Sequence, residues 1–205
     1  MIGREATRLE RLVYDVLDLA RLRARRFSAK LADVDLADVV AEIGRRYEDK
    51  ARGLGIELST LAAGDTRALA DHDRVLQVLS NLVENAMRVT PVGGRVAVSA
   101  DGVTLTVEDT GPGLDLDDLP QAFERFHLHG KYAENRAVGT GLGLAIAREL
   151  TVAMGGSIGV DSAPGQGARF RVRLRKAAGQ AELPAAALEP AAAGAGAPAG
   201  SSAVS

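Results

Sequence analysis

Between residues 4 and 28 the apolar positions fall three and four apart. Leu9, Leu12, Val16 and Leu19 form the stripe, with Val13, Leu17 and Ala20 widening it. This spacing predicts one long amphipathic helix. Charged residues fill the rest and end in Arg21, Arg23, Arg25 and Arg26, a basic end that suits a helix C-terminus. The arginine cluster reads as a solvated face rather than a nucleic-acid patch. A seam this regular calls for a partner helix, and none follows it directly.

Asp33-Val34-Asp35 opens a second helix, about 35–52, closed by Gly53 and Gly55. A short strand, Ile56 to Thr60, leads into a loop, and Asp71 is a suitable N-cap for a third helix, about 72–89, that stops before Thr90-Pro91. Arg95 to Ala100 and Val103 to Glu108 alternate apolar and polar residues around Asp101-Gly102, the pattern of a hairpin with a two-residue turn. A variable stretch (114–138) and glycines at 139–143 precede a helix of about 142–154, capped by Gly155-Gly156. Two strands follow, near 157–161 and 168–175, and from Ala177 the Ala, Gly, Pro and Ser content predicts a disordered tail. Helices and hairpins are segregated rather than alternating. The expected class is an α/β two-layer sandwich, with helices on one face of a mixed, mostly antiparallel sheet.

Composition narrows the functional classes. The chain has 205 residues, 46% of them hydrophobic, enough for one ordinary domain plus an appendage. A net charge of −2 gives no bulk attraction to nucleic acid or anionic membrane. Without cysteine there is neither a disulfide framework nor a thiolate metal site, which suits a reducing cytoplasm. No apolar run approaches the roughly 20 residues that span a bilayer, and no signal-peptide pattern begins the chain, so a cytoplasmic protein without direct membrane insertion is expected. Trp is absent and aromatics are 3%, so the core must be aliphatic.

Three segments carry chemistry. Asn81, Asn85 and Arg88 stand at i, i+4 and i+7 of the third helix and share one face, while Leu79, Leu82, Val83 and Ala86 point toward the core. Asp109-Thr-Gly111-Pro-Gly113 follows a strand that reads as buried; an aspartate there can accept a hydrogen bond from an exocyclic amine, and the glycines let backbone approach a flat ligand. Gly139-Thr140-Gly141-Leu142-Gly143 opens a helix whose N–H groups and dipole form an anion site. Each alone is a modest signal: a polar helix face, an Asx turn and a glycine string explain them equally well. No strand precedes the glycine string and no Lys-Ser/Thr ends it, so it matches neither a Rossmann site nor a Walker loop.

In this order and at these spacings, the three segments resemble the nucleotide-binding boxes of the GHKL superfamily, specifically the catalytic ATP-binding domain of sensor histidine kinases, a Bergerat-type fold. Phe123-Glu124-Arg125-Phe126 resembles the family's phenylalanine box, and Gly156 to Phe170 its closing strands, so the likeness spans residues 34–175. The resemblance implies Mg·ATP as the ligand. It places Asn85 as the Mg²⁺ ligand, Asn81 at the phosphate end, and Arg88 where the family has a phosphate-contacting lysine. Asp109, with Gly111 and Gly113, would select adenine; Gly139 through Gly143 would cradle the phosphates; Arg125 would approach the γ-phosphate. Asn81, Arg88 and Arg125 form the expected catalytic set. Residues 127–138 would be a lid whose His127, His129, Lys131 and Arg136 are solvated. Related ATPases carry a glutamate base where this chain has Asn81, and Glu84 reads as surface, so hydrolysis by water should be slow. Val89 replaces a frequent aromatic, and Arg169 a threonine that holds adenine through water, each at a cost of about 1 kcal/mol.

The family's acceptor histidine lies on the first helix of a two-helix dimerisation hairpin. Residues 4–28 look like the second helix of that hairpin, which implies a hairpin lacking its first helix. His72 lacks the expected downstream proline, and His127 and His129 fall in the lid. The expected organisation is therefore an incomplete hairpin helix (1–30), a catalytic ATP-binding domain (31–176) and a tail (177–205). The expected activity is transfer of the ATP γ-phosphate to a histidine on a partner's dimerisation helix, and onward to a response-regulator receiver domain, with homodimerisation through helix 4–28. The rival is a non-catalytic ATP-binding module, or kinase remnant, docking through helix 4–28. A serine kinase of the anti-sigma type is disfavoured by the helix before the domain.

Overall fold

Asp35 ends one element and begins the next. Strand β1 (Ala32–Asp35) closes on it, and helix α1 (Leu36–Gly53) starts with its Oδ1 accepting the Ala37 N–H at 2.9 Å. The Thr66 hydroxyl donates to the same oxygen, and these two hydrogen bonds hold the Asp35 carboxyl below the usual aspartate range. The computed structural model describes residues 29–127 and 140–177. The predicted helix 4–28, the tail beyond Ala177, Gly139 and the lid residues His129, Lys131 and Arg136 lie outside the described residues.

After α1 come β2 (Glu57–Ala63), β3 (Arg67–Ala70), α2 (His72–Val89), β4 (Arg95–Asp101) and β5 (Thr104–Asp109). A 3-10 turn (Leu116–Gln121), α3 (Gly143–Ala153), β6 (Ser157–Ser162), β7 (Ala168–Arg173) and β8 (Arg175–Lys176) complete the described chain. The main sheet runs β2-β4-β5-β7-β6. Only β2 and β4 are parallel; the other pairs are antiparallel. The helices cover one face of this sheet, giving the expected two-layer α/β sandwich.

Strand alternation decides which face is covered. Val96, Val98 and Ala100 on β4, Leu105 and Val107 on β5, and Phe170 and Val172 on β7 are buried. Their alternates, such as Arg169, Arg171 and Arg173, are exposed. Against that layer α1 buries Leu36, Val39, Val40, Ile43, Tyr47 and Ala51, and α2 buries Val75, Val78, Leu79, Leu82, Val83 and Ala86. Leu79 and Leu82 are wholly buried, each stabilising the fold by about 2 kcal/mol. The core is aliphatic as composition requires, with Phe170 its largest fully buried side chain.

Four sequence expectations are corrected. A second, three-stranded sheet, β1-β3-β8, was not foreseen, because two of its strands have four residues and one has two. The final strand expected over 168–175 breaks at Leu174, and its end crosses to that sheet. β2 runs on to Ala63, past the expected stop at Thr60. In the hairpin Asp101 pairs with Thr104, so the turn residues are Gly102 and Val103, not Asp101 and Gly102. Gly102 has φ +52° and occupies the first central position, the glycine site of a type II′ turn.

Candidate functional site

Asp71, the N-cap of α2, orients the first part of the site. Its carboxylate accepts the Arg74 N–H at 3.3 Å and the Lys30 N–H at 2.8 Å, tying the entering chain to the start of the helix. Three turns along, Asn81, Asn85 and Arg88 lie half-buried on the face left open by the α2 core residues. Glu84, read from sequence as surface, is half-buried: it accepts from the Tyr47 hydroxyl at 3.2 Å and sits 3.8 Å from Lys50 Nζ. It therefore belongs to the α1–α2 seam. Burial raises the Tyr47 pKa, and the neighbouring Glu84 carboxylate adds to the effect.

Asp109 is the last residue of β5, paired with Val96 on β4 and Ala168 on β7, and only 3% exposed. Its Oδ1 accepts the Gly111 N–H at 2.8 Å, an Asx turn that fixes the carboxylate. The loop beyond it is closed by glycines that tolerate no side chain. A Cβ at Gly113 (φ +71°) would lie 2.0 Å from the Ala163 oxygen, and one at Gly167 (φ +72°) 1.8 Å from the Asp109 oxygen. Ser162 stitches the same loop, donating to the Gly167 oxygen and accepting the Leu114 N–H.

Gly167, Ala168 and Ser162 are the residues that sequence reasoning left out of this end. The Gly-Gln-Gly pattern after a strand was their only signal. Arg169 was expected at the adenine. Alternation instead turns it to the open face of the sheet, where it forms an ion pair at 2.9 Å with Glu108, and Ala168 is the residue beside Asp109. Val89 approaches Gly111, whose Cβ would meet the Val89 Cγ2 at 3.0 Å.

The second end forms where α2 meets the start of α3. A Cβ on Gly143, the first residue of α3, would stand 3.7 Å from Asn81 Oδ1, so the glycine segment abuts the polar face of α2. α1 and α2 are capped by Asp35 and Asp71, but Leu142 at the N-cap of α3 offers no side-chain cap, and no acid occupies the first turn. The opening N–H groups of α3 are left for a ligand anion or water. Among the described residues, Nδ2 of Asn81 and Nη2 of Arg125 are buried nitrogen donors without a hydrogen-bond partner. Orphaned buried donors cost about 1–3 kcal/mol each, so they mark a site completed by something else.

Arg125 lies in the segment after the 3-10 turn, one residue before Phe126. Phe123 packs edge-on against Phe170, with ring centres 6.2 Å apart. Phe126, at φ +60°, donates its N–H to the Gly141 oxygen at 3.0 Å, which fastens the two flanks of 127–140 together. His127, expected to be solvated, is 26% exposed and contacts the buried Asp118 at 3.2 Å. Thr140, Gly141, Leu142 and Gly143 lie at the α3 entrance, with a long contact of 3.4 Å from Leu142 N to Thr140 Oγ1. His72 lies at the start of α2, 3.7 Å from Glu42 of α1.

Residues 70–178 match the family model described as "Histidine kinase-, DNA gyrase B-, and HSP90-like ATPase". The chain is 34% identical over 178 residues to the sensor histidine kinase RppB of Synechocystis sp., covering 84% of this chain and 39% of RppB. It is 35% identical over 175 residues to the sensor-like histidine kinase SenX3 of Mycobacterium tuberculosis, covering 83% of this chain and 42% of SenX3. Among solved structures, full-length ShkA in complex with AMPPNP superposes with a TM-score of 0.71 at 34% identity, over 82% of this chain and 37% of ShkA. The chain thus spans about two fifths of the length of the curated relatives it matches. No helix among the described residues is long and apolar enough to cross a membrane. The matched segment includes every element that builds the two ends of the site, and the chain belongs to the histidine kinase-, DNA gyrase B- and HSP90-like ATPase family, in the form of the ATP-binding catalytic domain found in sensor histidine kinases.

Proposed function

We propose that this chain binds Mg·ATP between Asp109 and the start of α3 and donates the γ-phosphate to a histidine on a partner's helical hairpin. The observation that carries the reading is the uncapped N-terminus of α3 meeting Asn81, together with buried donors on Asn81 and Arg125 that have no partner among the described residues. Such a cluster of N–H groups suits a polyphosphate. The nucleotide analogue named with the ShkA structure supports the same ligand.

In this reading the Asp109 carboxylate accepts from the adenine 6-amino group, with Gly111 and Gly113 letting the backbone lie against the base. Thr140, Gly141, Leu142 and Gly143 line the phosphates, with Gly139 continuing the row. Asn85 presents a neutral amide oxygen, half-buried on the polar face of α2, a donor that fits Mg²⁺. The ion would take its other ligands from phosphate and water and would screen the phosphate charge. Arg88 binds phosphate oxygens. Arg125 carries its guanidinium to the γ-phosphate, where negative charge builds in the transition state. The imidazole nitrogen of the partner histidine attacks phosphorus in line, its new N–P bond forming as the bond to the ADP oxygen breaks. Because Asn81 stands where a glutamate base would activate water, and Glu84 is held by Tyr47, hydrolysis stays slow. The phosphohistidine then passes its phosphoryl group to the aspartate of a response-regulator receiver domain.

The test mixes the chain with γ-labelled ATP, Mg²⁺ and a separate protein that supplies a histidine-bearing hairpin. Acid-labile, base-stable label on the hairpin is expected, and Asn85→Ala should abolish it. Tight ATP binding with no transferred label would instead favour a non-catalytic nucleotide-binding module.

A further inference from the structure

Asp118 is a buried acid that the phosphate chemistry leaves unused. The stretch Asp115-Leu116-Asp117-Asp118 puts three carboxylates at the 3-10 turn, and Asp115 and Asp117 are exposed, as acids usually are. Asp118 is turned inward instead, with 4% of its surface open to water. The cost of burying a carboxylate is offset only by donors that point at it. One such donor stands nine residues on, where Nε2 of His127 lies 3.2 Å from the Asp118 Oδ1. A carboxylate only accepts, so the ring carries a proton on Nε2.

The residue between Arg125 and His127 carries backbone strain. Phe126, at φ +60°, is the one non-glycine in the left-handed region among the described residues. A bulky side chain is disfavoured there, and such a backbone persists only where its surroundings fix it. Burial of the Phe126 ring does not fix it, since the residue is 51% exposed. Two polar contacts do. The Phe126 N–H donates to the Gly141 oxygen at 3.0 Å, and the next residue, His127, is tied to Asp118. Upstream, Phe123 is seated edge-on against Phe170. Arg125 is therefore carried on a backbone pinned at both sides. With no hydrogen bond at its buried Nη2 among the described residues, the guanidinium takes its direction from that backbone.

We propose that His127 is a positioning residue for Arg125. Anchored on Asp118, it holds the left-handed turn at Phe126, and the turn aims the Arg125 guanidinium at the γ-phosphate. This role rests on Arg125 meeting the γ-phosphate as proposed, and it gives the Asp118–His127 pair a task exerted through Arg125 rather than on the nucleotide. The guanidinium counts most where charge develops during transfer. Loss of the pair therefore lowers the rate of transfer and leaves ATP affinity nearly unchanged.

Single-turnover transfer from the full chain to the histidine-bearing hairpin tests this, with calorimetric ATP binding and with amide exchange of the ligand-free chain. His127→Ala should slow transfer about tenfold while ATP affinity moves by less than about twofold. In the same variant, without ligand, the Phe126 amide should exchange roughly tenfold faster. His127→Gln sets an amide N–H near the place of Nε2 and should restore both readings. In an Arg125→Met background His127→Ala should add no further loss, since no guanidinium remains to be aimed. A merely structural histidine would instead give the same fractional loss with and without Arg125. That additivity, transfer by His127→Ala at the parent rate, or an unchanged Phe126 amide would each overturn the proposal. Arg125→Met transferring at the parent rate is a separate outcome, which removes the reading of Arg125 and this role with it.

Discussion

The end of the site around Asp109 and the end around Gly143 are built on opposite plans. At Asp109 the carboxylate is fixed by the Gly111 N–H, and the loop is stitched by Ser162 with backbone packed to the limit at Gly113 and Gly167. At Gly143 the helix start has no side-chain cap, the neighbouring Asn81 holds an amide donor with no partner among the described residues, and a Cβ would find only ordinary contact. One end is finished by the chain itself; on the proposed reading the other is finished by what binds. A flat neutral base can be met by a rigid preformed surface. A polyphosphate brings charge that no uncharged fold can satisfy in advance, so its donors wait unpaired. On this view substitutions at the first end cost stability and binding together, whereas those at the second cost binding or rate alone.

The largest effect is expected at Gly167. Alanine there would adopt φ +72° with its Cβ inside van der Waals range of the Asp109 oxygen, and relief requires moving β5 away from β7. Left-handed strain and the backbone clash together should cost about 3 kcal/mol or more. In a domain of this size that lowers the melting temperature by roughly 10 °C. ATP affinity measured by calorimetry should fall with it, because Asp109 moves. A variant that melts normally and still loses ATP would break the comparison, since rigidity at this end would then not be structural.

How much of this was legible in the sequence follows the same division. The α2 cap at Asp71 and its stop before Thr90-Pro91 were readable because a capped amphipathic helix repeats its signal over several turns. Asp109, Gly111 and Gly113 were readable as a spacing. The closure of the loop by Gly167 was not, since it depends on β7 returning beside β5, a long-range pairing that no local pattern announces. Arg169 shows the same limit from the other side. Placing it at the base required the phase of β7, and an error of one residue moves a side chain to the opposite face. The small sheet β1-β3-β8 escaped because strands of two to four residues hold less than two full alternations. At the phosphate end the helix-opening glycines were visible, but not that α3 alone lacks a side-chain cap among the three described helices.

Arg125 should give a smaller effect of a different kind. Replacing it with methionine removes a buried N–H group that has no partner, so thermal stability should stay within about 0.5 kcal/mol of the parent or rise. Transfer to the histidine-bearing hairpin should fall by about a hundredfold, the scale for losing one donor at developing charge, with ATP affinity changing much less. Single-turnover transfer and calorimetric binding separate the two. A drop of several degrees in melting temperature would mean that Arg125 already has a structural task, and that the phosphate end is less open than its geometry implies.

The smallest effect, and the sharpest contrast with Gly167, lies at Gly143. It is the first residue of α3, and an added Cβ would stand 3.7 Å from Asn81 Oδ1 and 3.8 Å from Asn81 Cβ, both ordinary contacts. Alanine in a helical conformation is favoured over glycine by about 0.5–1 kcal/mol, because less backbone entropy is lost on folding. Gly143→Ala should therefore stabilise the ligand-free chain. The same methyl group would stand toward Asn81, where the proposed site places the phosphates, and should weaken ATP by about three- to tenfold, up to roughly 1.4 kcal/mol. Glycine to alanine would then raise stability and lower affinity at one end of the site, and lower both at the other. Paired melting and calorimetric titrations of Gly143→Ala and Gly167→Ala read those signs directly. Loss of stability at Gly143 would show that the helix start is held as tightly as the Asp109 loop.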